Sequence, residues 1–187
     1  MNITIIDGQG GHLGAQLVKE IVSRFPQAEL TAIGTNAIAT AAMLKAGAHN
    51  GATGENPAVV ACRKADVIVG PIGMVIADAL LGEVTPAMAT AVGQSGAARI
   101  LLPSDKCETL IAGIGGQSMN DLIRDAMDKL AYIALTDNAV GLDRSDFAIT
   151  ITRDQAKGIL TVSDNGIGMN KAEMEENLGT IAKSGSL

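Results

Sequence analysis

Aromatic side chains are nearly missing from this 187-residue chain: Phe25, Tyr132 and Phe147 stand alone, and there is no tryptophan. A core must therefore be assembled from Ala, Ile, Leu, Val and Met, and the stacking platforms used by single-strand nucleic-acid binders are lacking. Basic charge is also scarce. Fourteen Lys and Arg against 20 Asp and Glu leave a net charge of -6, which counts against a nucleic-acid partner because no basic surface neutralises phosphates. The longest apolar stretch, Val67 to Leu81, is interrupted by Gly70, Pro71, Gly73 and Asp78 and is too short and too broken to span a bilayer. No basic region, apolar run and cleavage site open the chain, so the expected compartment is the cytoplasm, without membrane association. Cys62 and Cys107 are the only cysteines and read as two reduced thiols; no metal site is expected.

What is present is glycine, concentrated at the start. Ile3, Ile5 and Ile6 form an apolar run that breaks at Asp7-Gly8 into a glycine-dense turn before the helical pattern Leu13, Leu17, Val18, Ile21 and Val22. Strand, tight turn and helix follow from that order. Gly8, Gln9, Gly10, Gly11, His12 and Gly14 make a candidate phosphate or dinucleotide turn, because glycines admit close approach and a helix start offers free N–H groups to an anion. The fingerprint G-x-G-x-x-G/A is copied imperfectly: its third small residue would fall on Leu13, so the match is Gly8, Gly10 and a displaced Gly14, or else Gly8, Gly11 and Gly14. The acidic residue that reads a ribose hydroxyl should close the second strand, but Gly34-Thr35-Asn36 stands there. Thr35 and Asn36 would tolerate a 2′-phosphate without supplying an Arg clamp. Two readings stay open: a bound nucleotide, or glycines that serve only strand-to-helix packing.

The pattern then repeats. A second strand ends at Ile33. A small-residue helix runs from Ala37 to Ala46 with Gly47 as its C-cap; a polar loop covers residues 50–57, and a short helix lies around Val59 to Arg63. Asp66 to Val69 is a strand stopped by Gly70-Pro71-Ile72-Gly73. Thr85 and Pro86 start the next helix as N-cap and first helical residue. Arg99 to Leu102 is a fourth strand, Thr109 to Ala112 a candidate fifth, and a helix spans Asn120 to Leu135. Alternating strands and helices predict an α/β fold, a Rossmann-like parallel sheet with helices on both faces. The turns Gly8 to Gly11, Gly34 to Asn36, Gly70 to Gly73 and Pro103 to Asp105 all follow strands and so meet at the carboxyl edge, where such folds bind ligands. Met43, Met74, Met88, Met119 and Met127 are expected to fill core gaps.

Several of these motifs, in order, carry a resemblance: Ile-Asp-Gly-Gln-Gly-Gly, Ala-Ile-Gly-Thr-Asn, Met-Leu-Lys-Ala-Gly-Ala, Gly-Ala-Thr-Gly-Glu-Asn, Val-Gly-Pro-Ile-Gly and Lys106-Cys107. Residues 1–129 resemble a small bacterial family of uncharacterised domains, which implies a fold and no reaction. His12 is a candidate proton donor or phosphate ligand, with a solvent-facing helix-start histidine as the plainer reading. Glu55, beside Thr53 and Asn56, reads as a sugar-hydroxyl contact or as loop hydrogen bonding. His49 is expected at the surface.

From Asp125 the chain changes character. Phe147, Ile149 and Ile151 alternate along a strand whose antiparallel partner is Ile159 to Val162. Asp164-Asn-Gly-Ile-Gly-Met169 follows, then an acidic helix from Lys171 to Leu178 and the stretch Gly179 to Gly185. A carboxylate at a strand end beside glycines can accept a hydrogen bond from an amino group of a flat ring. Residues 125–186 resemble the ATP-binding domain of the bacterial ninety-kilodalton heat-shock chaperones, members of the Bergerat-fold (GHKL) ATPases. The resemblance implies an incomplete α+β fragment of that fold over residues 130–187, binding ATP or ADP. It implies that Asp164 receives the adenine amino group, that Gly166, Gly168 and Met169 line the base pocket, and that Gly179, Thr180, Lys183, Ser184 and Gly185 begin a lid over the phosphates. Aligned without gaps, the family's catalytic Glu and magnesium-binding Asn fall on Ser118 and Leu122, so ATPase activity is doubtful and Mg2+ would be held poorly. The chain ends inside that lid at Leu187. The expectation is thus a composite: an α/β domain over residues 1–129 joined within the helix Asn120 to Leu135 to a nucleotide-binding remnant without efficient turnover. An NAD(P)-type, oxidoreductase-like or regulatory module is the alternative, and an inactive fusion product or scaffold the third. Protein partners and a homo-oligomer are left open.

Overall fold

The computed structural model describes residues 1–103, 111, 115–136, 149–154 and 159–164. Two compact units divide the chain, Met1–Val140 and Gly141–Leu187. The first holds five parallel strands in the order β3-β2-β1-β4-β5, where β1 is Asn2–Asp7, β2 Glu29–Gly34, β3 Asn50–Thr53, β4 Val67–Pro71 and β5 Ala98–Leu102. Helices α1 (His12–Arg24), α2 (Ala37–Ala46), α3 (Glu55–Cys62), α4 (Pro86–Gln94) and α5 (Met119–Thr136) complete it, with a short 3-10 turn at Ile72–Val75.

Alternation along the central strands distributes these helices. Ile3 and Ile5 of β1, with Val67 and Val69 of β4, pack under α1, α2 and α5 through Leu17, Ile21, Met43, Met127 and Leu130. Ile6, Ile33 and Ile68 point to the opposite face and meet α3 and α4 through Ala58, Cys62, Met88 and Val92. Both faces are covered, as a parallel sheet requires. Each fully buried Ile, Leu or Met contributes roughly 1.5–3 kcal/mol, so these two layers replace the absent aromatic core. Met43, Met74, Met88 and Met127 are buried as expected, whereas Met119 is exposed and opens α5. The Cys62 thiol is free, and burial raises its pKa.

Local chemistry sets several boundaries. Thr85 Oγ1 accepts from Met88 N–H with Pro86 at the first helical position, and Gly47 closes α2 at φ 118°. Ser118 and Asp121 cap α5 reciprocally: the Asp121 N–H donates to Ser118 Oγ, and Ser118 donates from its N–H and Oγ to Asp121 Oδ2. The helix packs through Ile123, Ala126, Met127 and Leu130 into the first unit and continues past residue 129.

Two expectations change. Gly70 and Pro71, read as the stop of the strand from Asp66 to Val69, lie within β4, where they pair with Leu101 and Leu102 of β5. The stretch read as a polar loop over residues 50–57 instead holds edge strand β3 and the start of α3. An edge strand with only Ala52 half-buried carries no apolar alternation for a sequence reading to find. His49 is exposed as expected, and its Nδ1 accepts from Leu30 N–H at 3.0 Å, so it also secures the start of β2. The proposed strand at residues 109–112 lies outside the described residues save Ile111.

In the second unit, β6 (Ile149–Asp154) and β7 (Ile159–Asp164) pair antiparallel with Ile149 opposite Asp164. The hairpin register puts Asp164 at the carboxyl end of β7. Thr150 and Thr152 are exposed.

Candidate functional site

In the first unit the chain leaves β1 for β2 and β3 on one side, then returns to β4 and β5 on the other. Connections therefore diverge above the carboxyl ends of β1 and β4, the crevice in which open α/β sheets bind ligands. A cleft of about 280 Å³ occupies that point, lined by Asp7, the turn Gly8 to Gly11, Gln16 of α1, Pro71 of β4, Leu80 and Met119.

The turn is shaped by backbone that side chains resist. Gln9 and Gly11 adopt left-handed conformations at φ 49° and 66°. A Cβ on Gly11 would lie 2.6 Å from Ala39 Cα, so the turn leans directly on the α2 backbone. Gly14 packs likewise on Met43 and on the Asp7 side chain. Both positions are thus too close to their neighbours for any larger residue.

Two carboxylates of the chain claim part of the turn's donors. Asp7, buried at the end of β1, accepts from Gly8 N–H (2.8 Å) and from Gly14 N–H (2.7 Å), the latter one of the orphan groups of the α1 start. Glu83 reaches in from the segment between β4 and α4. Its Oε2 accepts from Gln9 N–H at 2.8 Å, Thr35 Oγ1 at 2.5 Å and Asn36 Nδ2 at 3.0 Å. Burial alone would raise the Glu83 pKa, but the bonds from Gln9, Thr35 and Asn36 together outweigh it and hold the carboxyl below its usual range. The N–H groups of Gly10, His12 and Leu13 keep no acceptor among the described residues.

The segment carrying Glu83 is strained. Asp78, Leu80 and Leu81 have φ of 63°, 57° and 61°, and Gly82 follows at 84°. Left-handed geometry costs a non-glycine residue about 1–2 kcal/mol, so something must hold it. Leu80 is buried against the sheet and Glu83 is pinned to the turn, while Leu81 is 98% exposed between them. Leu80 and Glu83 cover Gly8: a Cβ there would meet Leu80 Cδ1 at 2.7 Å and Glu83 Oε2 at 3.0 Å.

The structure thus brings together Gly8 through His12, Thr35 and Asn36. Asn36 also caps α2, accepting from Ile38 and Ala39 N–H, and donates from Nδ2 to Gln9 O. Thr35 and Asn36 do not present an open place for a 2′-phosphate, as their sequence position implied; both hold a carboxylate. His12 is exposed at the first position of α1. Thr53 Oγ1 pairs with Thr40 Oγ1 at 2.7 Å, and Glu55 opens α3. Ser118 is committed to the α5 cap and Leu122 packs against the core. Gly166, Gly168, Met169, Gly179, Thr180, Lys183, Ser184 and Gly185 lie outside the described residues, as does Cys107; Asp164 is described in its backbone only. Sequence reasoning missed Glu83. Its one signal is a carboxylate after a glycine at the end of a largely apolar stretch, which reveals nothing about the strand end it reaches.

A family model described as a domain of unknown function (DUF3842) matches residues 2–134. The chaperone protein HtpG of Alkaliphilus oremlandii is 57% identical over 63 residues, 34% of this chain and 10% of that protein. HtpG of Bacillus subtilis is 54% identical over 63 residues, with the same shares. The chain spans about a tenth of the length of these curated relatives. Among solved structures, the dodecameric FMN-dependent UbiX-like decarboxylase of Escherichia coli O157:H7 aligns over 77% of this chain and 96% of its own, with 13% identity and a TM-score of 0.37. Among the described residues no helix is long and apolar enough to cross a membrane.

Proposed function

The chain belongs to the DUF3842 family, and from that premise we propose that its α/β unit binds a nucleotide, mononucleotide or NAD(P)-type, with the phosphates over the glycine turn. The cleft at the ends of β1 and β4 carries this reading. It lies where strand order reverses, and three N–H groups of the turn and the α1 start have no acceptor among the described residues, as an anion site requires. The ligand meets these backbone dipoles and the exposed His12. Asp7 does not oppose it strongly, because both carboxylate oxygens are engaged by N–H groups.

Gln16 gives a test that leaves the packing untouched, since it is exposed on α1 and lines the cleft. Calorimetric titration with ADP, NAD, NADP and FMN is carried out on the full chain bearing Asp164→Asn. A phosphate-bearing ligand binds several-fold more tightly to Gln16→Lys and more weakly to Gln16→Glu, about 0.5–1 kcal/mol each way for a charge near the surface. Absence of heat with all four ligands would sink the reading.

A second reading belongs to the other unit and rests on its own observation, 57% identity to HtpG over 63 residues. We propose that this segment is an adenine-nucleotide-binding remnant, with Asp164 as the acceptor for the adenine amino group and Gly179 to Gly185 over the phosphates. Turnover is not expected. Ser118 and Leu122, at the positions aligned with the catalytic Glu and magnesium-binding Asn, supply neither a base for water nor an oxygen ligand.

A further inference from the structure

We propose that Glu83 is the residue that reads the ribose of the nucleotide held over the glycine turn, accepting its free 2′-hydroxyl and rejecting a ribose phosphorylated there. This rests on the α/β unit being a nucleotide site.

Position is the first argument. In open α/β sheets a carboxylate at the carboxyl end of the second strand accepts the ribose hydroxyl. Here β2 ends at Gly34 with no acidic residue after it, and the place is filled from elsewhere in the chain. Glu83 is held there by Thr35 and Asn36, the two residues that follow β2, and by Gln9 of the glycine turn.

Orientation is the second. All three donors converge on Oε2, and Oε1 accepts from none of the described residues. A carboxylate oxygen with both lone pairs unclaimed takes a hydroxyl donor. The three bonds also keep the group ionised, so it acts only as an acceptor. A phosphate in the same place would meet like charge, and no Lys or Arg is among the groups that bond to Glu83.

Support and surroundings are the third. A carboxylate on a freely moving segment would lose orientational entropy on each binding event. The left-handed turn from Asp78 to Gly82, anchored by buried Leu80, places Glu83 before the ligand arrives. Leu81, two residues before Glu83 in the chain, is 98% exposed, and Ile38, two residues after Asn36, is 70% exposed.

The test compares NAD with NADP by titration on the full chain bearing Asp164→Asn, with and without Glu83→Gln. The parent is expected to favour NAD by tenfold or more, and Glu83→Gln, neutral and of the same shape, to narrow that ratio to threefold or less. Should Glu83→Gln melt early, Thr35→Val replaces it: the carboxylate stays but loses one donor, and NAD must bind several-fold more weakly while NADP changes little. If the parent binds NAD and NADP equally, or Glu83→Gln keeps the parent's ratio, the assignment to Glu83 fails while nucleotide binding stands. Tighter NAD binding by Glu83→Gln also overturns it, showing a carboxylate that blocks the ligand instead of receiving it. Binding of neither dinucleotide, nor of ADP or FMN, removes the nucleotide reading and this assignment together.

Discussion

Asp7 shows how one side chain can fix a turn. Its two oxygens accept from N–H groups on either side of the glycine cluster, Gly8 and Gly14. Asp7→Ala strands both donors in a buried place, and a stranded buried donor costs about 1–3 kcal/mol. Urea unfolding should therefore report a loss of roughly 2–4 kcal/mol. Leu81 predicts the opposite sign. It is 98% exposed at φ 61°, so its side chain gains little from packing while its backbone is strained. Leu81→Gly should stabilise by about 0.5–1 kcal/mol in the same measurement. Glu83 adds a pH dependence. Its folded pKa lies below the ordinary 4.5, so its three bonds contribute in full above that value and fade as pH falls through the folded one. Stability of the parent relative to Glu83→Gln, followed from pH 6 to pH 3 as roughly spanning that window, should be constant at first and shrink below about 4.5. A flat difference across the range would mean that the carboxyl is not held by these donors. Glu83 is also where sequence reading ran out. It lies 48 positions from Thr35, and only the return of β4 beside β1 brings the two together.

Elements whose ends are decided by neighbouring residues were legible. Ile3, Ile5 and Ile6 before a glycine cluster and Thr85-Pro86 carry their own start or stop chemistry, and the structure has a strand and a helix there; the run Asp66 to Val69 is a strand too, but pairing with β5 carries it on through Gly70 and Pro71. The edge strand β3 was not legible, because its place is set by pairing with β2 while its side chains face water. Helix α5 was read over nearly its true span, yet its allegiance could not be. Packing supplies the answer: Ile123, Met127 and Leu130 make it a helix of the first unit. Its reciprocal cap then matters to that unit, since the cap fixes where the buried stripe begins. Ser118→Ala should cost about 1 kcal/mol of the first unit's stability, read as a lowered urea midpoint with an unchanged slope.

Across the whole molecule, two compact units carry two proposals that share a ligand class, and they can be separated by substitution. The first has its own sheet, two covered faces and a cleft, so its nucleotide binding should not depend on residues after Val140. The second has Asp164 at the end of β7, within a chain that matches HtpG over only a tenth of that protein's length. ADP is the ligand common to both. The unmodified chain should bind two equivalents of ADP, Asp164→Asn one, and Gln16→Glu two with a single affinity weakened several-fold, as a charge near the surface produces. Inorganic phosphate release from ATP should stay at background in all three, because Ser118 is engaged in capping α5 and Leu122 is packed into the core. Release that Asp164→Asn abolishes would require a catalytic base that Ser118 cannot supply, and would overturn the reading of the second unit as a remnant that binds without turnover.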